Sequence, residues 1–122
     1  EETTMKKVET TLEAVNGGHK HAICTGKRSA YPFENGKRTS DIPNGTNIDV
    51  ALQGNAFVTI SIKIDGNADP LPELTDDDIK AACSAMKPHL VRFENCKVSL
   101  YTINGEMRMS GNASGVELVG SK

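Results

Sequence analysis

The stretch "CKVSLYTINGEMRMSG", residues 96–111, carries the strongest hairpin signal in the chain. Asn104-Gly105 predicts a type I′ turn, because both central residues of that turn need a positive φ. The apolar residues on either side of the turn alternate with polar ones: Cys96, Val98, Leu100, Met107 and Met109. The opposite face then carries Lys97, Ser99, Tyr101 and Arg108. The pattern predicts two antiparallel strands with an apolar inner face and a basic, aromatic outer face.

The same alternation occurs upstream. Residues 56–64, "AFVTISIKI", predict a strand with Val58, Ile60, Ile62 and Ile64 on one face and Phe57, Thr59, Ser61 and Lys63 on the other. Residues 47–53 predict a strand with Ile48, Val50 and Leu52 inward. Residues 6–15 predict a strand, with Val8, Leu12 and Ala14 on one parity, and the turn at 16–18 leads into an extended run over 19–25.

Residues 26–45 are rich in proline and glycine and predict a loop or a loose hairpin. Loops of this length are usually functional or mobile. Five cations and one acid lie between residues 18 and 40, and we expect an anionic ligand to order this basic loop.

A helix is predicted over residues 76–87. Thr75 and Asp78 resemble a capping box, and Pro88 ends the pattern. After the helix, the apolar parity changes near Glu94-Asn95, which suits a bulge or a bend.

One helix among at least five strands predicts an all-β fold with one helix. We expect a five-stranded Greek-key barrel of the OB-fold type, closed or nearly closed, with the helix between its third and fourth strands. The predicted interior is Val58, Ile60, Ile62, Val98, Leu100 and Met107, with the helix plugging one end through Ile79, Cys83 and Met86. Residues 6–119 form the single OB-like domain, between an added or disordered start (1–5) and a tail (120–122).

Residues 91–119, "VRFENCKVSLYTINGEMRMSGNASGVELV", resemble the closing hairpin of bacterial single-stranded DNA-binding proteins. In that family a strand ending near a Tyr turns over a glycine and returns into a terminal apolar stretch. The small members found on plasmids, phages and conjugative elements are the most similar kind. The resemblance implies binding of single-stranded DNA with little sequence preference and a role in DNA replication or conjugation of a mobile genetic element. The first residues of the sequence show no apolar signal segment, so we expect a cytoplasmic location.

Such binding needs aromatic platforms for bases and cations for phosphates. The stacking candidates are Tyr31, Phe33, Phe57 and Tyr101. The phosphate candidates are Lys20, Lys27, Arg28, Lys37, Arg38, Lys97 and Arg108. The competing interpretation is that the aromatic rings pack against the barrel and that the cations form an ordinary solvated surface.

The net charge of −2 excludes a uniformly basic surface, so binding has to depend on a local face. Residues 65–78 carry six acids and no base. The alternative function is therefore a small β-barrel module, a protein-interaction or structural accessory component of a phage or conjugative system, that contacts its partner through this acidic segment. RNA in place of DNA, and a homo-oligomer, remain open.

Other classes are disfavoured. No apolar run approaches the ~20 residues of a membrane span. Residues 65–76 match a calcium loop in part, but Pro70 occupies the position that needs glycine. His19, His21 and Cys24 lack a fourth zinc ligand at a suitable spacing. No catalytic motif is present, so we predict no enzyme, no metal and no cofactor, and three reduced cysteines.

Overall fold

The computed structural model describes residues 7–66 and 68–119. The predicted start (1–5), the predicted tail (120–122) and Asn67 lie outside the described residues. The elements are β1 (Lys7–Thr11), α1 (Leu12–Val15), β2 (His21–Ala30), β3 (Phe33–Glu34), β4 (Lys37–Arg38), β5 (Gly45–Leu52), β6 (Val58–Asp65), α2 (Asp76–Ser84), β7 (Leu90–Glu94), β8 (Lys97–Ile103), β9 (Glu106–Ala113) and β10 (Gly115–Leu118).

The protein is mostly β-structure, with a single large sheet that curls into a half-barrel. Its eight strands, rather than five, follow the order β1-β8-β9-β6-β5-β2-β7-β10, while β3 and β4 form a separate hairpin. The hydrophobic core lies on the concave side of the sheet. No helix within residues 7–66 and 68–119 has the length and apolar character needed to cross a membrane.

One continuous stretch of chain joins distant parts of the sheet. Ser114 is the single residue between β9 and β10. β9 pairs with β8 and, in parallel, with β6 over Ile62–Ile64 and Gly111–Ala113. β10 then pairs with β7. Before residue 111, β9 leaves β6 and forms with β8 and β1 a three-stranded extension, called the arm here.

The predicted alternation is confirmed where the strands cover the core. Ile48, Val50, Leu52, Ile62 and Val98 have no solvent exposure. The pattern is wrong near the starts of β6 and β9, where residues of the predicted interior reach solvent. Val58 is 39% exposed at the start of β6, and Met107 is 67% exposed in the arm.

The capping box at α2 is confirmed, since the Thr75 hydroxyl accepts from the Asp78 N–H and the Asp78 carboxylate accepts from the Thr75 N–H. Ile79 is fully buried, as predicted. The prediction that Met86 plugs the barrel is wrong. The helix ends at Ser84, and Met86 has φ +61° and is 87% exposed. This early exit fits the steric restriction that Pro88 places on the residue before it.

The predicted strand over residues 6–15 is too long, because residues 12–15 form the helical turn α1. The Thr11 hydroxyl caps this turn by accepting from the Ala14 N–H, and the turn buries Leu12. Asn16 follows and is fully buried, with its amide donating to the His21 carbonyl at 3.0 Å and accepting from the Gly54 N–H at 2.8 Å. These bonds join the 16–21 turn to the β5–β6 turn.

The predicted loop over residues 26–45 begins later in the structure, because β2 extends to Ala30. The loose hairpin is present as β3 and β4 around Asn35-Gly36, both of which have positive φ. In β2 the register with β5 shifts between Cys24 and Gly26. This bulge turns Lys27 toward the core side of the sheet and Arg28 toward the outer face.

The two other turn predictions are confirmed. Asn104 and Gly105 have φ of 52° and 82° at the tip of the β8–β9 hairpin. Asn95 has φ 51° at the junction of β7 and β8, where the sequence changes parity. Both positions use the left-handed conformation that Asn and Gly adopt at low cost.

Candidate functional site

A row of polar residues crosses the convex face of the sheet. Strand register sets six residues directly opposite one another, one from each strand from β1 to β2. They are Thr11, Lys97, Asn112, Lys63, Asn47 and Arg28. We call this set the cationic row. Each member is at least partly exposed, and its neighbours along the strands include the core residues Ile48 and Ile62.

The cationic row spans five interstrand steps, about 24 Å at ~4.8 Å per step. Its three cations alternate with the amide side chains of Asn112 and Asn47, so a charge recurs about every 10 Å. Because the sheet is curled, the row wraps around the convex surface instead of lying in a plane. Lys63 also lies 3.7 Å from the exposed Asp65 carboxylate.

Arg28 ends the row in a hydrogen-bonded cluster. Its guanidinium donates to Asp49 at 2.9 and 3.2 Å and to the Ser61 hydroxyl at 3.0 Å, and Ser61 donates to Asp49. More than half of the Arg28 side chain is exposed, so one side of the guanidinium remains accessible. The cluster orients Arg28 and at the same time offsets its charge.

A groove of about 450 Å³ lies beside this cluster. Thr59 and Ser61 of β6 form one wall, and Met109 of β9 forms another, with Arg28 and Asp49 also lining it. The groove lies where β9 has left β6, since their pairing within the described residues begins at Ile62 and Gly111.

The arm carries the predicted aromatic hairpin face. Tyr101 pairs directly with Arg108, so the two side chains share the face that also carries Lys97. Lys97 lies four residues from Tyr101, about 13 Å along the strand. Arg108 donates to Glu106 at 2.8 Å, which partly neutralises it. Tyr101 is half-buried rather than free on all sides.

The β3–β4 hairpin holds a second group of predicted residues. The Arg38 guanidinium lies over the Tyr31 ring, 3.9 Å from its centroid, a cation–π contact that occupies one face of the ring. Lys37 is exposed on β4. Phe33 belongs to β3, and its side chain lies outside the described part of the chain. This hairpin joins β2 to β5 at the end of the sheet opposite the β5–β6 turn.

Phe57 lies in that β5–β6 turn instead of in the predicted strand. It has φ +61° and its side chain is exposed. The parallel register of β6 and β9 sets this turn at the same end of the sheet as the tip of the arm. Phe57 and Tyr101 are therefore at one end of the groove, and Tyr31 is at the other end of the sheet.

Lys27 lies inside the protein. Its side chain is 11% exposed, and its ammonium donates to Asp69 at 2.6 Å, to the Leu71 carbonyl at 2.9 Å and to the Leu74 carbonyl. These bonds use all three donors of the ammonium group. Lys27 thus anchors the 69–74 segment and takes no part in the cationic row.

Lys20 is not a member of the row and lies beside a crevice lined by α1 and β7. Of the predicted phosphate ligands, the structure therefore brings Arg28 and Lys97 into one row, with Arg108 on the same face. It separates Lys20, Lys27, Lys37 and Arg38 from them. The alternating pattern of residues 56–64 predicts that Lys63 points outward, but the cations that lie beside Lys63 are set by strand order, which the sequence pattern does not give.

The acidic segment 65–78 is partly engaged in internal bonds. Burial by itself would raise the pKa of Asp69, but the Lys27 ammonium and the Leu71 N–H hold this pKa below its ordinary value. Hydrogen bonds from Lys80 and from the Lys27 N–H lower the pKa of Asp76. Among residues 7–66 and 68–119, no group of three or more His, Cys, Asp or Glu side chains is arranged to hold a metal ion.

Two of the three thiols are poorly reactive. Burial raises the pKa of both Cys24 and Cys96 to about 11, so both stay neutral near pH 7. Neutral buried thiols are weak nucleophiles and weak metal ligands. All three cysteines are reduced in the structure.

Comparisons of the chain with protein-family models, with curated proteins and with solved structures find no match.

Proposed function

We propose that this protein binds single-stranded DNA, with little sequence preference, along the cationic row and the arm of an OB-fold barrel. A cytoplasmic location and a role in replication or conjugation of a mobile element belong to the same proposal. The role in replication or conjugation rests on the resemblance of residues 91–119 to single-stranded DNA-binding proteins.

Support for the five-stranded arrangement comes from the strand pairings. β2 pairs with both β5 and β7, and β6 pairs in parallel with β9. Because one residue separates β9 from β10, and β10 pairs with β7, the β9–β10 stretch can serve as the closing fifth strand. α2 then follows the third strand, β6, and precedes the fourth, β7. In this proposal β1, β8 and the tip of β9 are an addition to the barrel.

The cationic row is the observation that carries the proposal. Three cations recur at regular intervals across the strands, with an amide side chain between each pair and a hydroxyl at one end of the row. Such a surface suits a flexible polyanion, whose phosphates it meets without reading base edges. Tyr101 and Phe57 offer rings on which bases can stack.

The alternative, recognition of a partner protein through the acidic segment, has less support. Asp69 and Asp76 bind Lys27 and Lys80, and Asp78 caps α2. These carboxylates are already used to hold the segment on the barrel. Ile42 and Met107 are exposed apolar residues that a partner protein could cover. Protein binding is therefore the alternative outcome of the test below.

Fluorescence anisotropy with labelled oligo-dT of about 16 nucleotides tests the proposal. Wild-type protein should bind the single strand, and duplex DNA should compete poorly. The Lys63→Ala, Lys97→Ala double variant should weaken binding and make the log–log salt slope shallower by about 1.4, since each neutralised phosphate contributes about −0.7 for single strands. Unlabelled oligo-U measures the preference for DNA over RNA.

Two matched controls separate charge and stacking from general damage. Lys87→Ala removes an exposed cation outside the row and should leave the slope unchanged. Tyr101→Ala should weaken binding roughly tenfold, while Tyr101→Phe keeps the ring and should retain affinity. Wild-type protein that ignores oligo-dT at low salt and micromolar concentration would end the proposal and favour the protein-binding alternative.

A further inference from the structure

A second concavity, of about 330 Å³, lies between α1 and the junction of β7 and β8. Its apolar lining comes from Leu12, Phe93 and Cys96. Its polar lining includes Thr11, Lys20 and Arg92. The volume falls in the range of small-ligand sites, and the combination of an apolar lining with a few polar groups is typical of them.

Two cations line this crevice, and a phosphate attached to a flat base would meet both of them there. Lys20 and Arg92 are both exposed, and both line the crevice. Arg92 also forms an ion pair with Glu117, and Glu13 is the carboxylate that lines the crevice. Phe93 packs against the hydrophobic core and is half-buried, so part of this residue is accessible from the crevice.

The crevice is continuous with the cationic row. Thr11 is the last member of the row and also lines the crevice. Lys97, the next member, directly follows Cys96, which lines it as well. A strand that follows the row from Arg28 to Thr11 therefore arrives at the mouth of the crevice.

We propose that this crevice is an end subsite of the nucleic-acid path, which takes one nucleotide with its base against Phe93 and its phosphate at Lys20 and Arg92. The inference rests on the proposed function, because it extends the same path. It gives Lys20 a role that the row does not, and it adds Phe93 and Arg92 to the binding residues.

A length series of oligo-dT, from about 4 to 16 nucleotides, tests the subsite by anisotropy. Wild-type affinity should rise stepwise once the oligonucleotide is long enough to extend past Thr11. Phe93→Leu keeps an apolar side chain at this position and should make the stepwise gain in affinity about tenfold smaller. Lys20→Ala changes an exposed residue, so we expect this variant to fold normally. It should also reduce the stepwise gain in affinity. Neither variant should weaken binding of the shortest oligonucleotide that binds.

Photocrosslinking gives an independent readout. Two long oligo-dT probes carry 4-thiothymidine, one at the 5′ end and one at the 3′ end. One of the two probes should crosslink to peptides that contain residues 11–13 or 92–96. The subsite is overturned if oligo-dT binds but neither Lys20→Ala nor Phe93→Leu changes the affinity and no crosslink forms at the crevice. That result leaves the proposed function standing. Wild-type protein that binds no oligo-dT would overturn both.

Discussion

The barrel strands β5 and β6 and the arm have the same alternating pattern and different surroundings. In β5 and β6 the apolar face is covered, and Ile48, Val50 and Ile62 have no exposure. In the arm the equivalent face leaves Val8 59% and Met107 67% exposed. Alternation therefore identifies which side chains share a face, while burial depends on whether another part of the chain lies against that face.

The largest expected difference between the two regions is in core stability. Ile62→Ala should lower the free energy of unfolding by ~2–5 kcal/mol, because it opens a cavity among fully buried side chains. Met107→Ala should change it by about 0.5 kcal/mol or less, as at other exposed positions. Denaturant unfolding of the two variants measures both values. Equal losses would mean that the arm is packed against something in solution.

Two lysines extend the comparison to charge. Lys27→Met should destabilise the protein by about 1–3 kcal/mol, since it leaves the Leu71 and Leu74 carbonyls and Asp69 without their donor. Lys97→Met should be within about 0.5 kcal/mol of wild type in stability. Binding should show the reverse order, with the salt slope altered by Lys97→Met and unchanged by Lys27→Met in folded protein. A change of slope at Lys27 would contradict its placement inside the protein.

The smallest effect is expected from acid. The pKa values of Asp69 and Asp76 are lowered in the folded protein, so their stabilising contribution is complete above about pH 4, near the ordinary Asp value, and is lost as the pH falls through the folded pKa. Hydrogen exchange between pH 6 and 3 should show protection falling in residues 69–78 before it falls in β5 and β6. Asp69→Asn should reduce this pH dependence. A uniform loss of protection across all strands would contradict a specific contribution from Asp69 and Asp76.

Several local features could be predicted because their causes lie within a few residues. The Thr75–Asp78 capping box and the Asn104-Gly105 turn depend on short-range hydrogen bonds and on φ preferences. The inward faces of β5 and β6 follow from strict alternation. The helix end was predicted three residues too late, because the apolar helical spacing continues to Met86, although Met86 has a positive φ and the 85–87 N–H groups close the helix with turn hydrogen bonds.

The features that were missed have distant causes. A bulge between Cys24 and Gly26 pairs Lys27 with Ile48 and turns it inward, where Asp69 and two carbonyls meet it. A sequence pattern without the bulge leaves Lys27 outside. The helical turn at Leu12 likewise depends on the core that Leu12 enters.

The candidate site divides in the same way. The sequence by itself determined that Lys97, Tyr101 and Arg108 share one face of a hairpin, because successive side chains of a strand point to opposite faces. Only the tertiary structure decided that Lys63 and Arg28 continue the line from Lys97, because that line depends on the parallel pairing of β6 with β9 and on the register of β2 with β5. Strand order and register arise from contacts between residues far apart in the chain, and no local pattern encodes them.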